Sequence, residues 1–408
     1  MSTPPGAMTE STASELPELR LKPREDKRLA AGHLWIFSNE VDTARTPLTA
    51  FEPGALCRIV AGHDRFLGYA YVNPHALICA RIIGRDPAYP PGKSLIVHRL
   101  QLALALRERI YRQPFYRLVY GESDGLPGLV LDRYGDVVVG QAGTAGMEAL
   151  KAAIVAAVEK VIRPATFIWK NDSAARELEG LPSYVETAMG PAVEQVVVEE
   201  NGVRFFVPMG HGQKTGWFYD QAANRQALLK YVPGRRVLDV FCYLGAWGLG
   251  AARAGASEVV CVDSSAPALE TLQRSADANG LPVRTERGDA FDVLAALRAA
   301  GEKFDVVVID PPAFIKRRKD LPKGQAAYRK LNQAAMQVLA RDAILVSCSC
   351  SHHLAQDDLI HAVQQSARHV DRFAQILEVG GHAPDHPLHP AIPETRYLKS
   401  LFCRVVQD

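Results

Sequence analysis

The chain has 408 residues, of which 48% are hydrophobic and 23% are charged, and its formal net charge is +2. This balance excludes a largely disordered chain and does not by itself indicate a nucleic-acid partner. No apolar run approaches the roughly 18–20 residues of a membrane helix, so we expect a soluble globular protein of two or three domains with no membrane partner.

The first 18 residues are rich in Ser, Thr, Pro and Glu and predict a disordered tail. They contain neither the basic segment nor the apolar segment of a signal peptide. The seven cysteines are odd in number, lie mostly in apolar runs and form no C-x-x-C pair. They therefore predict reduced thiols in a cytoplasmic protein, and no metal site is expected.

Residues 19–88 predict a small β-rich domain. The strand-like runs ALCRIVA, FLGYAYV and ALICARII are separated by Gly, Pro, Asn and Asp. A Pro-rich linker, Asp86–Gly92, follows these runs.

Residues 89–207 predict a second domain of mixed α+β structure. An amphipathic helix is expected over Leu95–Arg112, with Leu95, Leu102, Leu106 and Ile110 among its apolar positions. The other expected elements are strands at Arg117–Gly121, Val137–Gln141 and Thr166–Trp169, helices at Ala145–Val161 and from Ser173, and a hairpin at Val193–Val207.

From residue 208 to 408 the pattern alternates strictly between strand and helix, which predicts a doubly wound α/β domain with a parallel sheet. Strands are expected at Arg236–Phe241, Glu258–Asp263, Val283–Arg287, Phe304–Asp310 and Ala343–Cys348. Helices are expected at Gln221–Tyr231, Ala246–Ala254, Ala266–Asn279, Ala290–Ala300 and Gly324–Leu339. The runs Gln375–Val379 and Tyr397–Val406 leave room for an antiparallel edge pair.

The stretch Val237–Asp263 is the most informative part of the chain. It contains a buried strand, a tight turn at Cys242–Gly245, a helix of small residues and a second strand that ends in an acid. This order and spacing are similar to those of S-adenosylmethionine (SAM) methyltransferases, and the dinucleotide pattern G-x-G-x-x-G is absent. A strand–turn–helix–strand unit of any other α/β domain is the alternative.

Acids occur at or near the ends of four consecutive strands: Asp239, Asp263, Asp289 and Asp310. Because parallel strands end at one edge of a sheet, these acids predict a ligand site. Asp263 is expected to bind the ribose hydroxyls of SAM, and Asp239 to lie near its ammonium. The adenine is expected at Asp289 and Ala290, and the remaining expected SAM contacts in this region are Phe241, Gly245, Ser264 and Asp310.

The segment Asp310–Phe314 (D-P-P-A-F) combines an acid with two prolines that stiffen the loop. Such a loop beside the methyl group of SAM is suited to binding the edge of a nucleobase, although a rigid strand-to-helix turn is the structural alternative. Basic residues dominate Ile315–Lys330 directly after it, and Lys316, Arg317 and Arg318 are expected to contact phosphates, with an ordinary solvated face as the alternative.

Two cysteines end the strand run before Ser351, in the order S-C-S-C-S. Methylation of carbon-5 of a pyrimidine requires a thiolate to add at carbon-6, and a thiol with a pKa of about 8.5 provides some thiolate near neutral pH. Cys348 continues the apolar strand, whereas Cys350 lies beyond it between serines. We therefore expect Cys350 to be the nucleophile and Cys348 to be structural.

Longer motifs connect these features. They are LKPREDKRLAAGHLWIF at Leu21–Phe37, GESDGLPGLVLDRY at Gly121–Tyr134, HGQKTGWFYDQAANR at His211–Arg225, then VLDVFCYLGAWG, DPPAF, SCS, DHP and YLKSLFCRV. With these motifs the chain resembles the bacterial family of SAM-dependent 23S ribosomal RNA cytosine-carbon-5 methyltransferases with an N-terminal PUA domain. The resemblance covers nearly everything after the tail.

The resemblance implies a PUA domain, a small middle domain and a class I (Rossmann-like) methyltransferase domain. It also implies that Cys350 is catalytic, that Gln213–Gln221 covers SAM through Thr215, Phe218 and Asp220, and that the substrate is ribosomal RNA. Asp310 is the second expected catalytic residue, since it could hold a water for the proton transfer. The basic residues expected to bind RNA in the PUA part are Lys22, Arg24, Lys27 and Arg28. A homodimer is possible.

Ala313 departs from related RNA methyltransferases, which have a second cysteine after this loop, so the base that removes the carbon-5 proton is not identified by the sequence. Two other functions remain open at this point. One is a base N-methyltransferase on the same scaffold, in which Cys350 is structural. The other is a non-catalytic RNA-binding protein that acts through its basic PUA segment.

Overall fold

The computed structural model describes residues 16–210 and 215–407. Most of the tail predicted for residues 1–18, and residues 211–214 of the predicted SAM-covering segment, lie outside them. The chain divides into two compact units. The first comprises the described part of Met1–Glu194, with Thr215 and Pro387–Thr395, and the second comprises the described parts of Gln195–His211, Gly216–His386 and Arg396–Asp408.

The first unit begins with a β-rich part, as the sequence predicts. Its sheet has the strand order β1-β3-β4-β5-β2, with β1 parallel to β3 and the other neighbours antiparallel. Its elements are β1 (Glu18–Arg20), α1 (Lys27–Ala30), β2 (Trp35–Phe37), β3 (Leu56–Val60), β4 (Phe66–Val72) and β5 (Ile78–Gly84).

The rest of the first unit is mixed α and β. Its elements are α2 (Lys93–Ile110), β6 (Phe115–Tyr120), β7 (Leu129–Tyr134), β8 (Val137–Ala142), α3 (Ala145–Ala149), α4 (Lys151–Val161), β9 (Thr166–Asn171), α5 (Ala175–Leu178) and β10 (Tyr184–Met189), with the sheet order β10-β9-β8-β7-β6. The strands β7 and β10 were not predicted from the sequence.

Helix α2 forms where it is expected, but the predicted apolar positions do not describe its buried face. Leu102, Leu106 and Ile110 are exposed, at 53%, 37% and 43%. The buried face contains Ile96, Val97, Leu100, Ala103 and Arg107. Arg107 is accommodated there because its guanidinium binds both carboxylate oxygens of Asp124, at 2.6 and 2.8 Å.

The second unit contains the hairpin β11 (Gln195–Glu200) and β12 (Val203–Pro208), followed by alternating helices and strands. These are α6 (Ala222–Leu228), β13 (Arg236–Val240), α7 (Ala246–Arg253), β14 (Glu258–Asp263), α8 (Ala266–Asn279), β15 (Arg284–Arg287), α9 (Ala290–Ala299), β16 (Phe304–Ile309), α10 (Leu321–Gln337), β17 (Leu339–Ser349), α11 (Gln356–His369), β18 (Arg372–Gly380) and β19 (Lys399–Gln407). The sequence interpretation missed α11.

The large sheet has the order β15-β14-β13-β16-β17-β19-β18. Strands β13 to β17 are mutually parallel where they pair, and β19 is antiparallel to both β17 and β18. The predicted doubly wound α/β class and the antiparallel edge pair are therefore confirmed. The Val- and Ile-rich strands β13 and β16 are almost wholly buried, as expected for a parallel sheet covered by helices on both faces.

The predicted domain limits at 19–88, 89–207 and 208–408 stay predictions. Within the described ranges, no helix combines the length and the apolar character needed to cross a bilayer.

Candidate active site

The strand order reverses at β13, which has β14 on one side and β16 on the other. Ligands of open α/β sheets bind in the crevice at the carboxyl ends of such strands. Val240 pairs with Ile309 at these ends, and the amide of Asp310 donates to the Val240 carbonyl at 3.3 Å. The ends of the first and fourth strands of the alternating region therefore meet at the switch point.

The turn after β13 has an unusual backbone. Phe241, Tyr243 and Gly245 have φ values of 66°, 51° and 77°, a region that non-glycine residues rarely adopt. A Cβ at Gly245 would lie 2.6 Å from the side chain of Leu272, so glycine is required there. The turn brings the backbone close to the end of β14.

Asp263 is held at that point by two backbone amides. Its Oδ2 accepts a hydrogen bond from the amide of Tyr243 and its Oδ1 accepts one from the amide of Ser265, both at 2.9 Å. A carboxylate oxygen can accept more than one hydrogen bond. The half-buried carboxylate therefore retains capacity for ribose hydroxyls, which is the predicted role.

Asp239 is fully buried in β13. Its Oδ2 accepts the amide of Gly248 at 2.9 Å, whereas Oδ1 has no hydrogen-bond partner within the described residues. Burial raises the pKa of Asp239 to about 8. An unpartnered carboxylate oxygen in a buried position favours an incoming cation, so this residue fits the ammonium group of SAM.

The predicted adenine side of the site lies at the start of α9. The exposed Asp289 is its N-cap, with Oδ1 accepting the amide of Phe291 at 2.9 Å, and Ala290 is the buried first residue of the helix. Ser264 is exposed in the turn between β14 and α8. The roles of these three residues toward SAM stay predictions.

The segment before α6 is connected to the turn after β13. The Tyr243 hydroxyl donates to the Gly216 carbonyl at 3.2 Å, and its ring lies edge-on to Phe218 with the centroids 5.5 Å apart. Asp220 is buried and accepts a hydrogen bond from the Tyr397 hydroxyl at 2.5 Å. Phe218 thus lies against the turn, while Asp220 contacts the segment before β19.

Thr215 belongs to the first unit. It is fully buried, and its hydroxyl donates to Asp132 Oδ2 at 2.5 Å. Asp132 also accepts two hydrogen bonds from Arg117, at 2.8 and 2.9 Å. This gives Thr215 a structural partner of its own, and its predicted contact with SAM stays a prediction.

Asp310 is held by three hydrogen bonds from neutral side chains. Gln221 Nε2 lies 3.0 Å from each carboxylate oxygen, and Trp247 Nε1 donates to Oδ2 at 3.1 Å. Burial raises the pKa of Asp310 to about 6, against the lowering effect of the Trp247 hydrogen bond. The carboxylate is thus fixed in direction and ionises close to neutral pH.

The two cysteines of the S-C-S-C-S segment differ in their exposure, as the sequence predicts. Cys348 is fully buried in β17, donates to Ser400 Oγ at 3.3 Å, and has its pKa raised well above the ordinary value by burial. Cys350 follows the strand, is only half-buried, and its Sγ lies 3.8 Å from the Pro311 carbonyl. The predicted nucleophile and the D-P-P-A-F loop are therefore neighbours.

A buried hydroxyl network fixes the backbone around Cys350. Ser349 Oγ and Ser351 Oγ each lie 2.8 Å from the hydroxyl of Tyr328 in α10. The amide of Ile315 donates to Ser351 Oγ at 3.2 Å. This network connects the loop, α10 and the segment that carries the cysteine.

The predicted RNA-binding residues differ in their exposure and in whether an acidic side chain already binds their charged group. Lys316, Arg317 and Arg318 are exposed in the loop before α10 and form no ion pair within the described residues. Lys22, Arg24 and Lys27 are exposed around the start of α1. Arg28, in contrast, binds both carboxylate oxygens of Glu40, at 2.7 and 2.9 Å, so its guanidinium already has an internal partner.

Sequence reasoning missed four side chains of the site: Gln221, Tyr243, Trp247 and Lys399, the last of which donates a hydrogen bond from Nζ to the Ser351 carbonyl at 2.6 Å. Gln221, Tyr243 and Trp247 lie inside motifs that were singled out, but nothing in the motifs identifies their partners. Lys399 had one local signal, since a lysine at the start of an otherwise apolar strand requires a reason to be buried.

Comparisons with known proteins identify the families that this chain resembles. Residues 19–85 match a family described as PUA-like domain, and residues 170–402 match a family described as S-adenosylmethionine-dependent methyltransferase. The PUA-like domain and the cofactor SAM are thereby confirmed.

Proteins named ribosomal RNA large subunit methyltransferase I are similar over nearly the whole chain. The protein from Photobacterium profundum is 37% identical over 387 residues, covering 93% of this chain and 97% of that protein. The one from Escherichia coli is 33% identical over 392 residues, with the same two coverages.

Two solved structures share the fold. A putative SAM-dependent methyltransferase from Streptococcus mutans has a TM-score of 0.79 at 21% identity, covering 95% of this chain and 100% of that one. A putative methyltransferase complexed with SAH has a TM-score of 0.80 at 20% identity, with the same coverages. The chain therefore belongs to the S-adenosylmethionine-dependent methyltransferases with an N-terminal PUA-like domain, the family that includes the ribosomal RNA large subunit methyltransferases I.

Proposed function

We propose that the protein methylates carbon-5 of a cytosine in 23S ribosomal RNA, with Cys350 as the nucleophile. The observation that carries this proposal is the position of Cys350, which is half-buried directly after β17 with its Sγ 3.8 Å from the carbonyl of Pro311. A cysteine that served only packing would be expected in the strand, where Cys348 lies.

The chemistry requires a thiolate. Cys350 loses its proton and its sulfur forms a bond to carbon-6 of the cytosine, which moves the electron pair of the 5,6 double bond to carbon-5. Carbon-5 then accepts a methyl group and loses its proton, and the bond between sulfur and carbon-6 breaks to return the thiolate. Asp310 is positioned by Gln221 and Trp247 to accept hydrogen bonds from the base or from a water beside it.

The residues at the switch point fit the cofactor. Asp239 would hold the ammonium, Asp263 the ribose hydroxyls, and the start of α9 at Asp289 the adenine. Bound SAM supplies an electrophilic methyl group. Asp310, held by Gln221 and Trp247, would orient the base beside that methyl group.

The ribosomal RNA substrate rests on the names of the similar proteins and on the exposed basic residues. Lys316, Arg317 and Arg318 continue directly from the loop that would bind the base, and Lys22, Arg24 and Lys27 lie on the PUA-like domain. Such residues bind phosphates without regard to base identity, so they position the RNA rather than select the cytosine. We place this activity in the cytoplasm.

A mechanism-based trap tests the proposal. Ribosomal RNA that contains 5-fluorocytosine, incubated with the full chain and SAM, is expected to yield a protein–RNA adduct that survives denaturation, because carbon-5 then carries fluorine instead of a removable proton. Cys350→Ala should abolish both the adduct and turnover while SAM binding persists. Cys348→Ala is the matched control and should retain adduct formation.

Activity of the Cys350→Ala variant, or an adduct on Cys348, would overturn this assignment of the nucleophile. An N-methylated base as the product, with no adduct, would instead identify a base N-methyltransferase on the same scaffold. Nucleoside analysis of the reacted RNA separates the two products.

A further inference from the structure

Lys399 is a buried lysine next to the segment that carries Cys350. It begins β19, pairs in register with Ser349 of β17 and is only 4% exposed. Its Nζ donates a hydrogen bond to the carbonyl of Ser351 at 2.6 Å. The amine is therefore anchored to the residue that directly follows Cys350 in the chain.

Such a position is costly for a structural lysine. An ammonium group taken out of water needs compensation, and the partner here is a backbone carbonyl rather than a carboxylate. The pKa of Lys399 is lowered to about 8, mainly by burial; Cys350 and Asp358 oppose that lowering, and the charge of Arg396 adds to it. Cys350 and Asp358 are thus the two groups whose negative charge favours the charged form of this lysine, and the effect of Cys350 is the larger.

The charges around the pair come from several elements. Lys399 also contributes to lowering the pKa of His382, which burial lowers to about 4, so that imidazole is neutral near pH 7. Burial raises the pKa of Tyr328, which contacts Ser351 from α10, so the phenol stays neutral as well. Neither of these two groups is an anion near pH 7, and Asp358 in α11 is the carboxylate that also favours the charged form of Lys399.

We propose that Lys399 is a positioning residue that stabilises the thiolate of Cys350. This inference rests on the proposed function, since it assigns the lysine to the nucleophile named there. The thiol releases its proton to solvent while the ammonium keeps all of its own, and the resulting ion pair lies in a partly buried place where water screens it weakly. The hydrogen bond to the Ser351 carbonyl fixes the backbone of the same segment.

The pH dependence of alkylation measures the thiolate directly. The full chain is treated with iodoacetamide at a series of pH values, and modification of the Cys350 peptide is followed by mass spectrometry. The wild type should reach half of its maximal rate below the pH of about 8.5 expected for a free cysteine. Lys399→Gln and Lys399→Met should shift that midpoint upward by about one pH unit or more.

Two further variants separate charge from structure. Lys399→Arg keeps the positive charge and should retain most of the wild-type midpoint. Arg404→Gln removes a charge from the exposed side of the same strand and should leave the midpoint unchanged. SAM binding, measured by calorimetry, checks that each variant is folded. If a variant does not fold, the alkylation midpoint of the wild type still tests the inference.

Adduct formation with 5-fluorocytosine RNA connects this measurement to catalysis. Lys399→Gln should form the adduct slowly at pH 7 and recover its rate at higher pH, where the thiol ionises unaided. A wild-type midpoint at or above 8.5, or the same midpoint in Lys399→Gln as in the wild type, overturns the inference. So does accumulation of an adduct on ordinary cytosine RNA by Lys399→Gln, which would place the lysine in product release.

The two proposals fail in different ways. If Cys350→Ala remains active, the proposed function is wrong, while the alkylation midpoints still decide whether Lys399 influences that thiol. If Cys350→Ala is inactive and the midpoints do not depend on Lys399, the proposed function stands and this inference is wrong.

Discussion

Trp247 donates a hydrogen bond from its indole nitrogen to Oδ2 of Asp310 at 3.1 Å, which joins the second residue of α7 to the first residue of the D-P-P-A-F loop. The helix that follows the cofactor turn and the loop that would bind the base are thereby held together. The position of the Asp310 carboxylate consequently depends on the same helix that places Gly248 beside Asp239.

Replacing Trp247 with Phe should shift the pH dependence of turnover. Burial raises the pKa of Asp310 to about 6, and the indole hydrogen bond opposes that rise, so its removal should raise the pKa further. If ionised Asp310 is required, the acidic limb of the kcat profile should move to higher pH by about half a unit to one unit. Trp169→Phe, in the first unit, is the control and should leave the limb in place.

Replacing Asp239 with Asn should stabilise the ligand-free protein at neutral to alkaline pH. The folded state holds the pKa of this carboxyl at about 8, above its ordinary 3.8, so the group lowers stability progressively as the pH rises from about 4 to about 8. Asn keeps an acceptor for the Gly248 amide and removes that cost. The melting temperature should rise by a few degrees at pH 8 and not at pH 4, measured by calorimetry, as about 1 kcal/mol would give.

The same variant should bind SAM more weakly than the wild type, because the cation loses its carboxylate partner. Unchanged SAM affinity in Asp239→Asn would show that the ammonium lies elsewhere. A lower melting temperature of the variant at pH 8 would contradict the idea that the buried carboxyl destabilises the ligand-free protein.

Replacing Asp263 with Ala should weaken SAM binding by about 1.5–3 kcal/mol, the range for a hydrogen bond to a charged group. The amides of Tyr243 and Ser265 also lose their acceptor, so part of the loss will come from the turn. Isothermal titration measures the affinity. Asp277→Ala removes an exposed acid at the end of α8 and should bind SAM normally.

Replacing Lys316, Arg317 and Arg318 together with Ala should weaken RNA binding and reduce its salt dependence. Each phosphate that the variant no longer neutralises should lower the slope of log affinity against log salt by about 0.7–0.9, so a decrease of about 2–3 is expected for the triple variant. Filter binding at several salt concentrations gives both quantities. A triple variant at the exposed residues Lys93, Arg109 and Lys160 is the charge-matched control. Equal slopes in the two triple variants would contradict a specific role for the loop.

For Arg28, the local sequence predicts one role and the tertiary structure shows another. Its place in a basic segment predicts a phosphate contact, but Glu40, 12 residues later, forms a bidentate ion pair with it. The prediction of which residues form the buried face of α2 was wrong for a related reason. The pairing of Arg107 with Asp124 buries a charged residue on the face that the core covers.

Apart from α11, the sequence alone determined the order of elements in the second unit, the class of its sheet and the strand ends at which acids occur. Buried parallel strands are rich in Val and Ile, and they end at one edge of the sheet. It also separated Cys350 from Cys348, since one lies beyond the apolar run. Only the tertiary structure decided which groups meet there. Gln221 and Trp247 reach Asp310, and Lys399 reaches the carbonyl next to Cys350, through pairings between residues distant in the chain. Hydrogen bonds of this kind depend on where the fold brings two segments together, and no local pattern encodes that distance.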